Sequence, residues 1–135
     1  MAMRLTNAAA SGAAGDGTNA GLRAYIGATP KLKFYTGNVH ASAETNPAGT
    51  LLATVTIAAF GAATNGAITS VGGNVSVVAD GTVACWALFK SDGTTKVADG
   101  SVAETSGGDI NFDETAWLTN CTVTMGNLVL TVPPA

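Results

Sequence analysis

The sequence predicts an all-β fold: an antiparallel β-sandwich of jelly-roll or Greek-key type, preceded by a Gly/Ala-rich N-terminal arm. Three observations predict it. About eight to ten short apolar or alternating runs recur at spacings of roughly 8–12 residues. Seventeen glycines punctuate them. The run Thr82 to Lys90 carries Val, Cys, Trp, Leu and Phe without a polar break, which suits a strand covered on both faces. At 135 residues the chain is long enough to bury a core. We read residues 1–21 as the arm and 22–135 as one sandwich domain.

In the arm, Thr6 or Asn7 is placed to cap a short alanine helix. Gly12, Gly15 and Gly17 should end it, since each costs about 1 kcal/mol against alanine, and no apolar stripe is present to dock it. Leu22 to Ile26 reads as a first short strand. Lys31 to Thr36, KLKFYT, is a clear strand, with Leu32 and Phe34 on one face and Lys33 and Tyr35 on the other. A polar loop from Gly37 to Gly49 holds His40, the single histidine. Leu51 to Ile57 alternates, with Leu51, Ala53, Val55 and Ile57 inward and Thr54 and Thr56 outward. Phe60 plugs the core beyond it. Ala67 to Val71 and Asn74 to Ala79 follow as strands.

Thr82 to Lys90 and Thr94 to Ala98 form the central hairpin, joined by Ser91-Asp92-Gly93, with Asp99-Gly100 as a second turn. Val83, Cys85, Ala87 and Phe89 point one way; Ala84, Trp86, Leu88 and Lys90 the other. Ala103 to Gly108 is a loop. Asp109 to Asp113 alternates around Ile110 and Phe112, and Trp117 and Leu118 anchor the next turn. Cys121 to Met125 and Leu128 to Val132 read as a closing hairpin, ended by Pro133-Pro134.

Charged residues make up 11% of the chain, against about 25% in ordinary domains. So bland a surface points to a body held against something. Charge is also uneven. Residues 1–40 hold Arg4, Arg23, Lys31 and Lys33 against Asp16, while residues 80–135 hold Lys90 and Lys96 against seven carboxylates. A basic leading segment and an acidic body can attract one another between subunits, or steer the segment to an acidic partner. Four spaced cations without interleaved aromatics are too few for nucleic-acid binding.

The chemistry-bearing residues form no catalytic pattern. Asp109 and Asp113 share a strand face about 13 Å apart, too far to chelate one ion. His40 stands alone in its loop. GAAGDG lacks the GK[ST] ending of a phosphate loop. Cys85 and Cys121 make neither a disulfide framework nor a zinc site and are expected as reduced core residues. No catalytic, metal or cofactor residue is assigned, an enzyme is the least favoured class, and no signal peptide or membrane helix is expected. Trp86 reads as core; Trp117 or Tyr35 on an exposed face would suit a carbohydrate-binding sandwich.

Several stretches together resemble small virion proteins of tailed bacteriophages. They are Arg4-Leu5-Thr6-Asn7-Ala8-Ala9, KLKFYTG at 31–37, GTLLATVTI at 49–57, Trp86 through Val102, GGDINFD at 107–113 and TVTMGNLVLTVPPA at 122–135. The family resembles capsid decoration, or cement, proteins with β-sandwich or jelly-roll folds. The chain departs from it at residues 8–21, where a more amphipathic segment is implied. The resemblance implies a protein on the outer surface of the virion, assembled in the host cytoplasm. Its partner would be the major capsid protein of an HK97-like shell, and it would form a homodimer or trimer with no nucleic acid or membrane partner. Arg4, Arg23, Lys31 and Lys33 are then the candidate capsid or subunit contacts. A tail or fibre component and a carbohydrate-binding module are the alternatives.

Overall fold

The structure, a computed structural model, describes residues 4–14, 22–37, 42–57, 60–61, 67–70, 73–108, 110–126 and 128–131. It is an all-β fold with two short helices. In chain order the elements are β1 (Arg4–Leu5), α1 (Asn7–Ala14), α2 (Leu22–Ile26), β2 (Lys31–Tyr35), β3 (Leu51–Thr56), β4 (Ala67–Ser70), β5 (Asn74–Ser76) and β6 (Gly81–Thr82). They continue with β7 (Cys85–Phe89), β8 (Lys96–Glu104), β9 (Ile110–Phe112), β10 (Ala116–Trp117), β11 (Thr122–Thr124) and β12 (Leu128–Thr131). The main sheet is six-stranded in the order β1-β8-β7-β2-β3, with β9 beside β8. Three two-stranded ladders, β4–β12, β5–β11 and β6–β10, accompany it. All pairs are antiparallel except β8–β9, which is parallel.

The hairpin β7–β8 is the centre of this sheet. Every residue of β7 is buried, as an unbroken apolar strand requires. Its turn is chemically specified: Asp92 Oδ1 accepts from the N–H groups of Thr94 and Thr95 at 2.8 and 2.9 Å, and Gly93 takes φ +74°. Trp86 and Leu88 stand opposite Phe34 and Leu32. These four side chains share one apolar cluster with Val75 of β5, Ile68 of β4, Trp117 of β10 and Phe112 of β9. Within it Phe34, Phe112 and Trp117 meet edge to face, with centroids 4.9–5.5 Å apart, each pair adding about 0.5–1.5 kcal/mol beyond its buried area.

The structure corrects several sequence expectations. Leu22–Ile26 is a helix, not a strand. LRAYI lacks polar alternation, contains good helix formers, and is closed by Gly27 at φ +88°, a left-handed residue that caps a helix end. Asp99-Gly100 is no turn; both lie inside the nine-residue β8. Gly100 faces Trp86, where a missing side chain leaves room across from the indole. The closing hairpin does not form, because β11 pairs with β5 and β12 with β4. The single strand expected over Thr82–Lys90 is split into β6, which pairs with β10, and β7. Cys121 is exposed rather than core, and both cysteines are free.

The segment expected to lack a docking face is docked over its described part. Arg4 and Leu5 pair with Asp99 and Ala98, and Ala9 is fully buried. Thr6 caps α1: its hydroxyl accepts from the Ala9 N–H at 3.2 Å, and its own N–H donates to Val97 O at 2.9 Å. Gly12 lies within α1 rather than ending it.

Two bulges break the alternation that strand reading relies on. Between β2 and β3 the register jumps from Phe34 opposite Ala53 to Tyr35 opposite Leu51. Leu52 is therefore the extra residue, fully buried, while Leu51 and Val55 are only half-buried. It fits because Gly81 has no Cβ; one there would lie 3.1 Å from Leu52 Cδ2. Between β7 and β8 the register jumps from Leu88 opposite Ala98 to Phe89 opposite Lys96. This second bulge, at Val97, shapes the face described next.

Candidate interaction face

The side of the main sheet turned away from the apolar cluster carries most of the described cations. The registers place Thr54, Lys33, Ala87, Asp99 and Arg4 in one row across five strands. Lys33 and Arg4 sit three strand spacings apart, about 14 Å. Lys31 lies two residues along β2, opposite Phe89. Three of the four residues that the sequence singled out thus share one face. Arg23 lies in α2, and its side chain falls outside the described residues.

The face is built around a buried carboxylate. Asp99 is 1% exposed. Arg4 grips it bidentately, Nε to Oδ1 at 2.8 Å and a terminal nitrogen to Oδ2 at 2.7 Å. Lys96 Nζ donates to the same Oδ2 at 2.8 Å and to Thr45 O at 2.7 Å. In a regular strand residues three apart face opposite ways. The bulge at Val97 brings Lys96 to the side of Asp99. Two cations on one carboxylate leave this cluster with a net positive charge. Beside it opens a cleft of about 650 Å³ whose walls include Thr6, Tyr25, Glu44, Thr45, Thr94 and Lys96.

The remaining lysines are steadied by neighbours. Lys33 Nζ donates to Gly93 O at 2.8 Å and lies 4.7 Å from the Phe89 ring centre. Lys31 Nζ donates to Thr56 Oγ1 at 2.6 Å. Lys90 Nζ sits 4.2 Å above the Tyr25 ring. The Lys33 stem lies over Phe89 while its charge reaches outward. Under this layer, burial pushes the Cys85 thiol up to about 11, with Asp99 adding to the rise and Lys96 opposing it. Burial, then Cys85, raises Tyr35 in turn. Cys85 is therefore protonated near neutral pH and a poor nucleophile.

The far end of the sheet has the opposite character. Asp80, Glu104, Asp113 and Glu114 are all exposed there, with no cation near them among the described residues. The Thr119 N–H and hydroxyl both donate to Asp80 Oδ1, at 2.7 and 2.8 Å, and the N–H chiefly holds its carboxyl below the usual range. Glu104 accepts from the Thr115 hydroxyl at 3.2 Å. Val78 and Leu118 lie exposed on the same ladder, at 63% and 61%. A second cleft of about 230 Å³ is lined by Phe112, Asp113, Glu114, Val123 and Thr124.

The other sequence candidates separate. Trp117, which would have suited sugar binding only on an exposed face, is buried against Phe34 and Phe112, and its Nε1–H donates to Glu114 O at 2.9 Å. It is withdrawn as a sugar platform. His40 and Asp109 lie outside the described residues. Among the described residues no group of three or more His, Cys, Asp or Glu could hold a metal ion, and no helix is long and apolar enough to cross a membrane. Sequence reading missed Lys96 and Asp99 as a pair because Asp-Gly looks like a turn. The available signal was the surrounding run, which continues as VADGSVA without a further breaker.

Comparison of the chain with protein-family profiles, with curated proteins and with solved structures finds no match in any of the three.

Proposed function

We propose that this chain is a virion structural protein. It is a capsid decoration protein of a tailed bacteriophage that binds the outside of an HK97-like shell, bridges major capsid protein subunits and stabilises the particle. One observation supports this reading above the others. Five of the six stretches that carry the resemblance cover every strand of the six-stranded sheet: RLTNAA on β1, KLKFYTG on β2, GTLLATVTI on β3, Trp86–Val102 on β7 and β8, and GGDINFD on β9; the sixth, TVTMGNLVLTVPPA, carries β11 and β12. The likeness therefore follows the architectural frame rather than scattered loops.

The finer architecture belongs to the same proposal. The ladders β4–β12, β5–β11 and β6–β10 form the second layer of a jelly-roll sandwich across the apolar cluster. Arg4, Arg23, Lys31 and Lys33 are contact residues toward the shell or a neighbouring subunit. Individually weak contacts suffice, because copies on a lattice bind with avidity. Shell symmetry favours a closed homodimer or trimer.

The test is co-sedimentation of purified protein with expanded shells that lack it. Saturable binding, weakened about tenfold or more by K31E/K33E as removal of complementary charge should do, is the expected result. Absence of binding, with copurification on tails instead, would replace the reading with a tail or fibre role.

A further inference from the structure

The two ends of the main sheet are electrically opposite, and this points to a partner. Arg4, Lys31, Lys33, Lys90 and Lys96 stand against Glu44, Asp92 and Asp99 at one end, five cations to three carboxylates. At the other stand Asp80, Glu104, Asp113 and Glu114, with no cation among the described residues. Strand β8 runs from one end to the other, Lys96 to Glu104, about 26 Å by strand rise.

The acidic end also has an uncovered face. Residues 77–83 and 115–121 run side by side around the β6–β10 ladder: Val83 N–H to Thr115 O, Thr82 opposite Ala116, Gly81 opposite Trp117, Thr119 N–H to Asp80 Oδ1, and Val77 N–H to Cys121 O. Trp117 and Val77 turn inward, while Val78 and Leu118 face solvent with Asp80 beside them. An exposed apolar pair with Asp80 beside it, at the end that also carries Glu104, Asp113 and Glu114, has the make-up of an interface, apolar at its centre and polar around it.

We infer that this ladder docks the basic end of a second copy of the chain, giving a heterologous head-to-tail contact. Charge complementarity selects that occupant: the end that carries Lys31, Lys33 and Lys90 supplies the cations that the acidic rim lacks. Hydrophobic contact at Val78 and Leu118 then holds what the charges bring together. A head-to-tail contact closes as a ring of three or more copies or grows as a chain; it does not make a two-fold dimer, so of the dimer and trimer proposed above it selects the trimer. The inference does not depend on shell binding and is tested without shells.

The experiment is sedimentation of the full chain in two ionic strengths, with a charge-swap pair. From about 0.01 M to about 0.15 M salt the screening length falls from about 30 to about 8 Å, and self-association should weaken about tenfold or more. E114K/L118K and K31E/K90E should each stay monomeric alone and associate when mixed, since each then offers the end the other needs. Circular dichroism confirms that both variants are folded. A monomer at low salt, a discrete two-fold dimer, or variants that associate singly as well as the wild type would each overturn the inference.

Discussion

Asp99 is the residue on which the charged face depends. A buried carboxylate is tolerated because Arg4 and Lys96 both bind it. Replacing it with Asn leaves Lys96 buried without its counter-charge, and breaking such a pair costs about 3–5 kcal/mol. Chemical denaturation of Asp99→Asn should show that loss. Arg4→Gln should cost less, because Lys96 still neutralises the carboxylate. At the turn, Asp92 titrates near 2 against an ordinary 3.8, chiefly because the Thr95 hydroxyl and N–H donate to it. A carboxyl depressed on folding stabilises the native state above its unfolded pKa and loses that contribution as pH falls through the folded value. The thermal midpoint gap between wild type and Asp92→Ala should hold steady above about pH 4 and close toward pH 2. The two cysteines should also part: Cys121 alkylates in the native protein, and Cys85 only after unfolding.

Among the elements, β2, β3, β7 and the Asp92 turn were legible in the sequence because alternation and turn chemistry act locally. Phe34, Phe60, Trp86 and Leu88 are buried where apolar patterning put them. What was not legible depends on partners distant in the chain. The bulges at Leu52 and Val97 shift which residues share a face, and only the strand opposite fixes them. β11 and β12 look like a hairpin, yet each pairs with a strand about fifty residues or more earlier. The burial of Asp99 could not be seen without Arg4, which is 95 residues away. Close approach gives a direct check on the β2–β3 connection. A Cβ on Gly49 would lie 1.9 Å from Thr36 O, so Gly49→Ala must move backbone and should lower stability by about 1–3 kcal/mol in denaturant titration. Thr6→Ala, which removes the α1 cap, should cost about 1 kcal/mol.

Over the whole molecule, low charge density and uneven placement of the few charges are two sides of one design. The sequence already separated a basic leading segment from an acidic later half. The fold sharpens this by adding Lys90 and Lys96 to the basic end while leaving Asp80, Glu104, Asp113 and Glu114 at the other. Of the four contact residues read from the sequence, Arg4 is largely committed to Asp99, whereas Lys31 and Lys33 keep their charges at the surface of the face. Charge reversal at Lys31 and Lys33 should therefore disturb association and leave the core intact, the reverse of Asp99→Asn. The most direct measurement of the central claim is cryo-electron microscopy of expanded shells mixed with the purified protein. Ordered density at fixed positions on the outer surface, bridging neighbouring shell subunits, is the expected result. Bare shells, with the protein left in solution, would contradict it.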